Sequence, residues 1–458
     1  MKYILLVLLV TIQAALAAPF RIEVIDAENR WPVPLVKLTT THNVTFITDN
    51  AGVVAIDLPE LMDRETWLSV SSDGYEHTAD GFGSRGVRIT PTSGGSHQIK
   101  IQRTNVAKRL GRLTGGGQFA ESQKLGQHLD WKESGIFGCD SIQTAIHKGQ
   151  KFWAWGDSNL PHYPLGIFDM SSATTATRPL ASFQPPLKLP FDYFRDANGK
   201  PRGVAKIPDD GPTWLSGSIS LPDASGKPHL VATYSKIRNF LEAYRTGLCE
   251  WNEKTERFDS IKILWDKSEQ NPKPPIAPEG HPVFHTDAQG KTWALFGDPF
   301  PHLRIPATYE AWQDPKQWEE LKPQSDLKSA GSDGKIKPHR GSIAWNAFRK
   351  KWVTVFTQIG GKPSHLGELW YAEADRPTGP WGKAVKILSH ENYTFYNPRL
   401  HADLTPEGST ILLFEGTYTT FFSGNPAKTP RYDYNQILYR LDLDDPALAG
   451  AQTGKDHS

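Results

Sequence analysis

The chain has almost no cysteine. Only Cys139 and Cys249 occur among 458 residues, so no disulfide framework holds the fold, although one bridge is open to the pair in an exported chain. With no cysteine or histidine near either, the sequence argues against a zinc site. A surplus charge is missing too: 51 Lys plus Arg face 50 Asp plus Glu, and no basic block stands out. That balance argues against nucleic acid and anionic membrane surfaces as partners. After the first twenty residues no run of eighteen apolar residues appears, so no membrane span is expected.

What the chain does have begins with Lys2, the apolar run Ile4 to Ile12, and Ala15-Leu16-Ala17. This pattern predicts a signal peptide over residues 1–17, cleaved after Ala17, and hence a secreted or periplasmic protein. About 440 residues remain, more than one core usually serves, so two domains are expected. Trp 15, Tyr 14 and Phe 21 accompany Gly 39 and Pro 35, the texture of aromatic strands broken by turns.

From residue 20 to 103 short alternating strands such as Arg21-Ile22-Glu23-Val24-Ile25 and Thr66-Trp67-Leu68-Ser69-Val70 predict a small antiparallel sandwich. The stretch Phe46 to Val54 with Ser72-Asp73-Gly74-Tyr75 resembles the carboxypeptidase regulatory-like domain, a transthyretin-like β-sandwich, which implies an accessory role. Val106, Leu110 and Leu113 lie at helical spacing before a triple glycine, so residues 104–130 read as a connector with one short helix.

A different period follows. An apolar strand, a tight turn and a second aromatic strand recur five times, in units beginning near 139, 215, 279, 339 and 397. The second strands include Phe152-Trp153-Ala154-Trp155, Thr292-Trp293-Ala294-Leu295-Phe296 and Ile411-Leu412-Leu413-Phe414. Hairpin units at such even spacing predict a five-bladed β-propeller over residues 131–443, with a single large sandwich as competitor and a flexible tail over 444–458. The fold class is therefore all-β.

Hairpin register then locates chemistry, because a turn fixes which residues face each other. A turn at Lys148-Gly149 sets Asp140 opposite Asp157. A turn centred between Ala288 and Gln289 sets Glu279 opposite Asp298; centred one residue later it brings His281 instead. The same rule pairs His339 with Gln358, Arg399 with Glu415, and Ser216 with Tyr234. All lie at the open ends of their hairpins, and closing five blades brings those ends to one funnel.

Two carboxylates at ladder distance repel and raise each other's proton affinity, an arrangement suited to glycosidic bond cleavage by an acid and a base or nucleophile. Asp140 and Asp157 form the expected catalytic pair, with Glu279, Asp298 and Glu415 as candidates for a third acid. A pair about 5 Å apart suits retention, and a base across the funnel suits inversion. The competing use is a structural calcium ion, since that ion also takes oxygen ligands; no other metal or cofactor is expected. His339, Asn397, Arg399 and His401 open the fourth and fifth units and are candidates for holding hydroxyls or an acidic sugar, while Arg399 has an alternative role as ion-pair partner of Glu415.

Cys139-Asp140-Ser141, Trp155-Gly156-Asp157-Ser158-Asn159 with Tyr163-Pro164-Leu165-Gly166, Gly367 to Ala374 with Thr378-Gly379-Pro380-Trp381, and Phe395-Tyr396-Asn397-Pro398 together carry a family likeness. The chain resembles secreted bacterial propellers of the domain of unknown function 4185 group, relatives of endo-D-arabinanases, and more loosely the five-bladed arabinanase and fructosidase clan. The resemblance implies two catalytic aspartates on the first blade, matching Asp140 and Asp157. The expected function is glycoside hydrolysis of a poly- or oligosaccharide by a monomer. A non-catalytic carbohydrate- or protein-binding propeller is one alternative. The other is a uronate lyase using His339 or His401 as base with Arg399 on the carboxylate.

Overall fold

The computed structural model describes residues 18–451 apart from Glu133, Phe240 and Pro363. The expected leader lies outside these residues, as does the end of the expected tail. The described chain is built of strands, with one five-residue α-helix, Tyr309–Gln313, and short 3-10 turns.

Two four-stranded sheets come first. Phe20–Asp26 lies between Val53–Ile56 and Ser96–Arg103, and Lys37–Thr40 lies between Thr45–Ile47 and Thr66–Ser71. Alternation in Phe20–Asp26 turns Phe20, Ile22 and Val24 inward and Arg21 and Glu23 outward, so the sheets enclose a cluster that includes Ile22, Leu38, Val54 and Leu68. The expected antiparallel pattern is broken at one place: Phe20–Asp26 runs parallel to Ser96–Arg103.

Five further four-stranded sheets follow, each antiparallel and in chain order apart from its last member in one case. Their innermost strands are Gln143–His147, Thr213–Pro222, Val283–Thr286, Pro338–Asn346 and Thr394–Leu400. The second strands are packed on both faces, which is why Phe152-Trp153-Ala154-Trp155 and Leu412-Leu413-Phe414 read as unbroken apolar runs.

Hydrogen bonds join each sheet to the next. Ser218 N donates to Gln143 Oε1 at 3.4 Å, Gly217 N to Gly280 O at 3.0 Å, Gly341 N to Asp298 Oδ1 at 2.7 Å and Leu400 N to Ser342 Oγ at 2.8 Å. The fifth sheet returns to the first through Asn397 Nδ2 and Ser141 Oγ, 2.6 Å apart. The five sheets thus close into a ring.

Two expectations at the chain ends are corrected. The helical spacing of Val106, Leu110 and Leu113 does not make a helix: Lys108–Arg112 is a strand that pairs antiparallel with Asn435–Asp442 and completes the fifth sheet. Pairing with an otherwise open edge outweighs local periodicity. The single turn of the connector is instead a 3-10 helix at Glu121–Leu125. The tail is not flexible where it is described, since Pro446–Ala451 forms a 3-10 helix whose Leu448 and Ala451 are buried against the fourth and fifth sheets. Cys139 and Cys249 are buried free thiols and do not pair.

Candidate active site

The register at the first hairpin is the one expected: Gln143 faces Ala154 and Cys139 faces Ser158, and between them Asp140 N donates to Asp157 O at 3.3 Å. Gly156 N returns a 2.7 Å bond to Asp140 O. A side chain at Gly156 would overlap Asp140 Oδ1, so glycine is required for the acid to take this seat.

Asp140 opens on a cavity of about 640 Å³ lined from all five sheets. Glu279 and Asp298 of the third sheet, His339 and Arg340 of the fourth, and Tyr396 and Asn397 of the fifth share its wall. The convergence expected of the hairpin ends is therefore present for five of the nine candidates: Asp140, Glu279, Asp298, His339 and Asn397 line the cavity, and Asp157 does not. Asp157 is turned to Trp214, whose Nε1 donates to Oδ1 at 3.1 Å.

The two aspartates have unlike surroundings. Burial pushes the Asp140 carboxyl up, but hydroxyls of Tyr396, Tyr434 and Ser141 donate to it and pull the other way, the Tyr396 bond measuring 2.7 Å. Burial and then the neighbouring Asp140 push Asp157 up to about 7, with Trp214 as its side-chain donor. Burial raises both, and the larger set of donors on Asp140 favours its anion more than the single Trp214 donor favours that of Asp157.

Across the cavity Glu279 makes no hydrogen bond with the described residues, and burial raises its proton affinity against the pull of His302 and Arg340. Asp298 is differently occupied, accepting from Arg340 Nη1 at 2.7 Å and from Gly341 N at 2.7 Å. The expected pairing of Glu279 with Asp298 is not found. Val283 faces Leu295, a register one residue later than expected, because the loop after Asp287 holds three residues and closes on Gly290 in the left-handed region at φ 80°. His281, not foreseen as a wall residue except through the alternative turn, lines the floor at 5% exposure with Nδ1 unpartnered, and burial lowers its pKa to about 3.

His339 is not opposite Gln358. A bulge between Pro338 and Gly341 gives Gln358 to Pro338 and leaves His339 free to face the cavity, where burial lowers its pKa. A second bulge, between Ser216 and Ile219, moves Ser216 from Tyr234 to Thr233.

Arg399, His401 and Glu415 do not join the site. Arg399 faces Glu415 as expected, yet no ion pair forms between them, and Arg399 Nε instead donates to Thr144 Oγ1 at 3.3 Å. His401 lies past the far end of its strand, not at the position equivalent to His339, and is fully buried between Lys151 Nζ at 2.9 Å and Glu415 Oε1 at 2.8 Å. Lys151 also reaches Asp403 at 2.8 Å, so this charged cluster braces the first sheet to the fifth. Its position removes His401 and Arg399 as base and carboxylate holder of a lyase.

Tyr396, Tyr434 and Trp214 are the site residues that register reasoning passed over as partners of the acids. Nothing in the sequence pairs Tyr396 and Tyr434 with Asp140, since that contact crosses from the fifth sheet to the first.

No family model matches the chain, and no curated protein matches it. Among solved structures it is similar to an exo-1,5-alpha-L-arabinanase from a bovine ruminal metagenomic library, at 12% identity and TM-score 0.38, over 67% of this chain and 93% of that one. It is also similar to a GH43_1 enzyme from Xanthomonas citri, at 12% identity and TM-score 0.37, over 67% and 88% of the two chains. A third likeness is to an exo-beta-1,3-galactanase from Phanerochaete chrysosporium, at 8% identity and TM-score 0.38, over 67% and 61%.

Proposed function

We propose that the chain is a secreted glycoside hydrolase in which the ring of sheets is a five-bladed β-propeller, preceded by a small β-sandwich, and a glycan is cut in the axial funnel. The observation that carries this reading is the pair formed by Asp140 and Glu279, which face one cavity from the first and third sheets in unlike surroundings, Asp140 ringed by hydroxyl donors and Glu279 with none. Asp140 is the base: hydroxyl donors surround it and favour its anion more than Trp214 alone favours that of Asp157. Glu279 is the acid: burial favours its protonated form and no donor ties it down.

Glu279 hands its proton to the leaving glycosidic oxygen while Asp140 draws a proton from a water attacking the opposite face of the sugar. Placement on separate sheets across a cavity leaves room for that water, so inversion at the anomeric carbon is the expected outcome. Asp157 acts through Asp140, as a neutral neighbour that sets its charge. This revises the role expected for Asp157 from its register alone.

The test is incubation with a panel of plant, algal and mycobacterial polysaccharides, reading reducing ends and ultraviolet absorbance together. Reducing ends without an unsaturated product, lost in Asp140→Asn and in Glu279→Gln, support hydrolysis. Glycan binding with no reducing ends from any polymer identifies a binding module instead, and an absorbing product identifies a lyase.

A further inference from the structure

A chain of buried polar contacts runs from the first two sheets to the carboxyl of Asp140. Its last link is Tyr434, which is buried and whose hydroxyl donates to Asp140. Tyr434 closes a segment that leads into the strand Asn435–Asp442, and the segment is bent at both ends into the left-handed region, at Arg431 with φ 68° and at Tyr434 with φ 55°. Side chains of that size persist there only where their surroundings hold them. One holder is the strand Gly138–Cys139, which leads directly into Asp140: a side chain at Gly138 would strike the Tyr434 carbonyl, so the two main chains lie in contact.

The other holders come from outside the ring. Arg112 Nη1 donates to Arg431 O at 2.5 Å, and Arg112 is itself fixed by Asn50, whose Oδ1 accepts from Arg112 N at 3.0 Å and whose Nδ2 donates to Arg112 O at 2.9 Å. In parallel, Arg431 Nη1 donates to Glu121 Oε1 at 2.8 Å, and Glu121 Oε2 accepts from Ala55 N at 3.3 Å. Ala55 lies on Val53–Ile56, the edge strand of the first sheet, and Asn50 in the turn before it. Both routes therefore start from one short stretch and meet at Arg431. Asn50 and Glu121 are buried, and buried hydrogen bonds, one of them here charge-assisted, fix a single arrangement where apolar contact alone would allow sliding.

We propose that Asn50 and Glu121 are positioning residues: through Arg112 and Arg431 they keep the Tyr434 hydroxyl on Asp140, so the first two sheets govern the carboxylate that activates water. What Asp140 does rests on the hydrolase reading; that it is governed from the first two sheets does not. The ionisable groups around Asp140 are Asp157 and Cys139 beside it and Tyr396 and Tyr434 from the fifth sheet, and of these the two tyrosines donate to it.

The experiment follows Asp140 directly. The full chain is labelled with carbon-13 at the aspartate carboxyls, the Asp140 signal is identified by its absence in Asp140→Asn, and its midpoint is read by titration from about pH 3 to about pH 9. Tyr434→Phe removes a donor that favours the anion, so the midpoint is expected to rise by roughly 0.5 to 1 pH unit. Asn50→Ala and Glu121→Gln leave the hydroxyl in the chain and loosen its holders, and are expected to move the midpoint in the same direction. Melting curves show which variants are folded, and Glu121→Gln, which keeps the side chain's size, serves if Asn50→Ala is not. A midpoint unmoved in Tyr434→Phe, or unmoved in the folded holder variants, overturns the proposal even where melting temperature falls. With a glycan that is cleaved, the acid limb of kcat/KM moves up with the midpoint. Midpoints that move in a chain that cleaves no polysaccharide sustain the positioning and overturn the hydrolase reading instead.

Discussion

At the scale of residues, the account depends on three carboxyls in three surroundings. Removing the charge of Asp140 by Asp140→Asn, or the proton of Glu279 by Glu279→Gln, is expected to lower turnover by roughly 10²- to 10⁴-fold, the usual worth of a positioned acid or base. Asp157→Asn leaves a neutral group of the same shape beside Asp140, so a loss of less than about tenfold is expected, and initial rates of the three variants check the ranking. Asp157 also predicts how stability follows pH. Its folded pKa of about 7 lies above the ordinary carboxyl value of 3.8, so the folded state binds the proton more tightly. This group costs nothing below the unfolded value, and stability falls as pH rises from there through about 7, by at most about 1.4 kcal/mol per pH unit. Urea midpoints between pH 4 and 8 should decline in the wild type and decline less in Asp157→Asn. Equal slopes would show that Asp157 is not held protonated. Gly156→Ala is expected to displace Asp140 and lower activity by at least the same order as Asp140→Asn, because the added methyl claims the space of Oδ1.

At the scale of elements, the first hairpin was legible because Lys148 and Gly149 both adopt positive φ, 49° and 76°, which is what a two-residue turn between twisted strands demands. Once that turn was placed, the meeting of Asp140 and Asp157 followed. The fifth hairpin gave Arg399 opposite Glu415 for the same reason of register. Elsewhere the turn or strand carries one residue more than a regular ladder allows. The three-residue loop at Gly290 shifted Glu279 off Asp298, and bulges displaced Ser216 and His339. Bulges answer to contacts between sheets, such as Gly217 N on Gly280 O, and these are invisible along one strand. What the charged seam does was also hidden, since it joins residues 250 positions apart, Lys151 and His401. Lys151 is buried with Asp403, His401 and the ring of Trp153 around it, 4.3 Å from the ring centre. Lys151→Ala leaves Asp403 without its cation and is expected to cost about 3–5 kcal/mol. Chemical denaturation measures it, and a loss below about 1 kcal/mol would mean the cluster behaves as a surface pair.

At the scale of the whole molecule, alternation and even spacing made the all-β character and the repeating hairpins readable, but not how the ring is fastened. The fastening strand, Lys108–Arg112, precedes the ring in sequence, and its periodicity resembles a helix because Leu110 is buried while Val106 and Leu113 are only partly so. A chain starting at Thr104 retains this strand and one starting at Thr114 lacks it. The shorter chain leaves the edge of Asn435–Asp442 open and is expected to aggregate or to melt at markedly lower temperature. Equal solubility and melting of the two would show that closure does not depend on Lys108–Arg112. The central claim, that Glu279 protonates a leaving group while Asp140 activates water, is tested most directly by comparing an activated aryl glycoside with an unactivated glycoside of the same sugar. In Glu279→Gln the account predicts that the unactivated substrate loses roughly 10²-fold or more while the activated one, which needs no proton, is nearly unaffected; in Asp140→Asn both are lost. Equal loss on both substrates in Glu279→Gln, or full activity in Asp140→Asn, would contradict it.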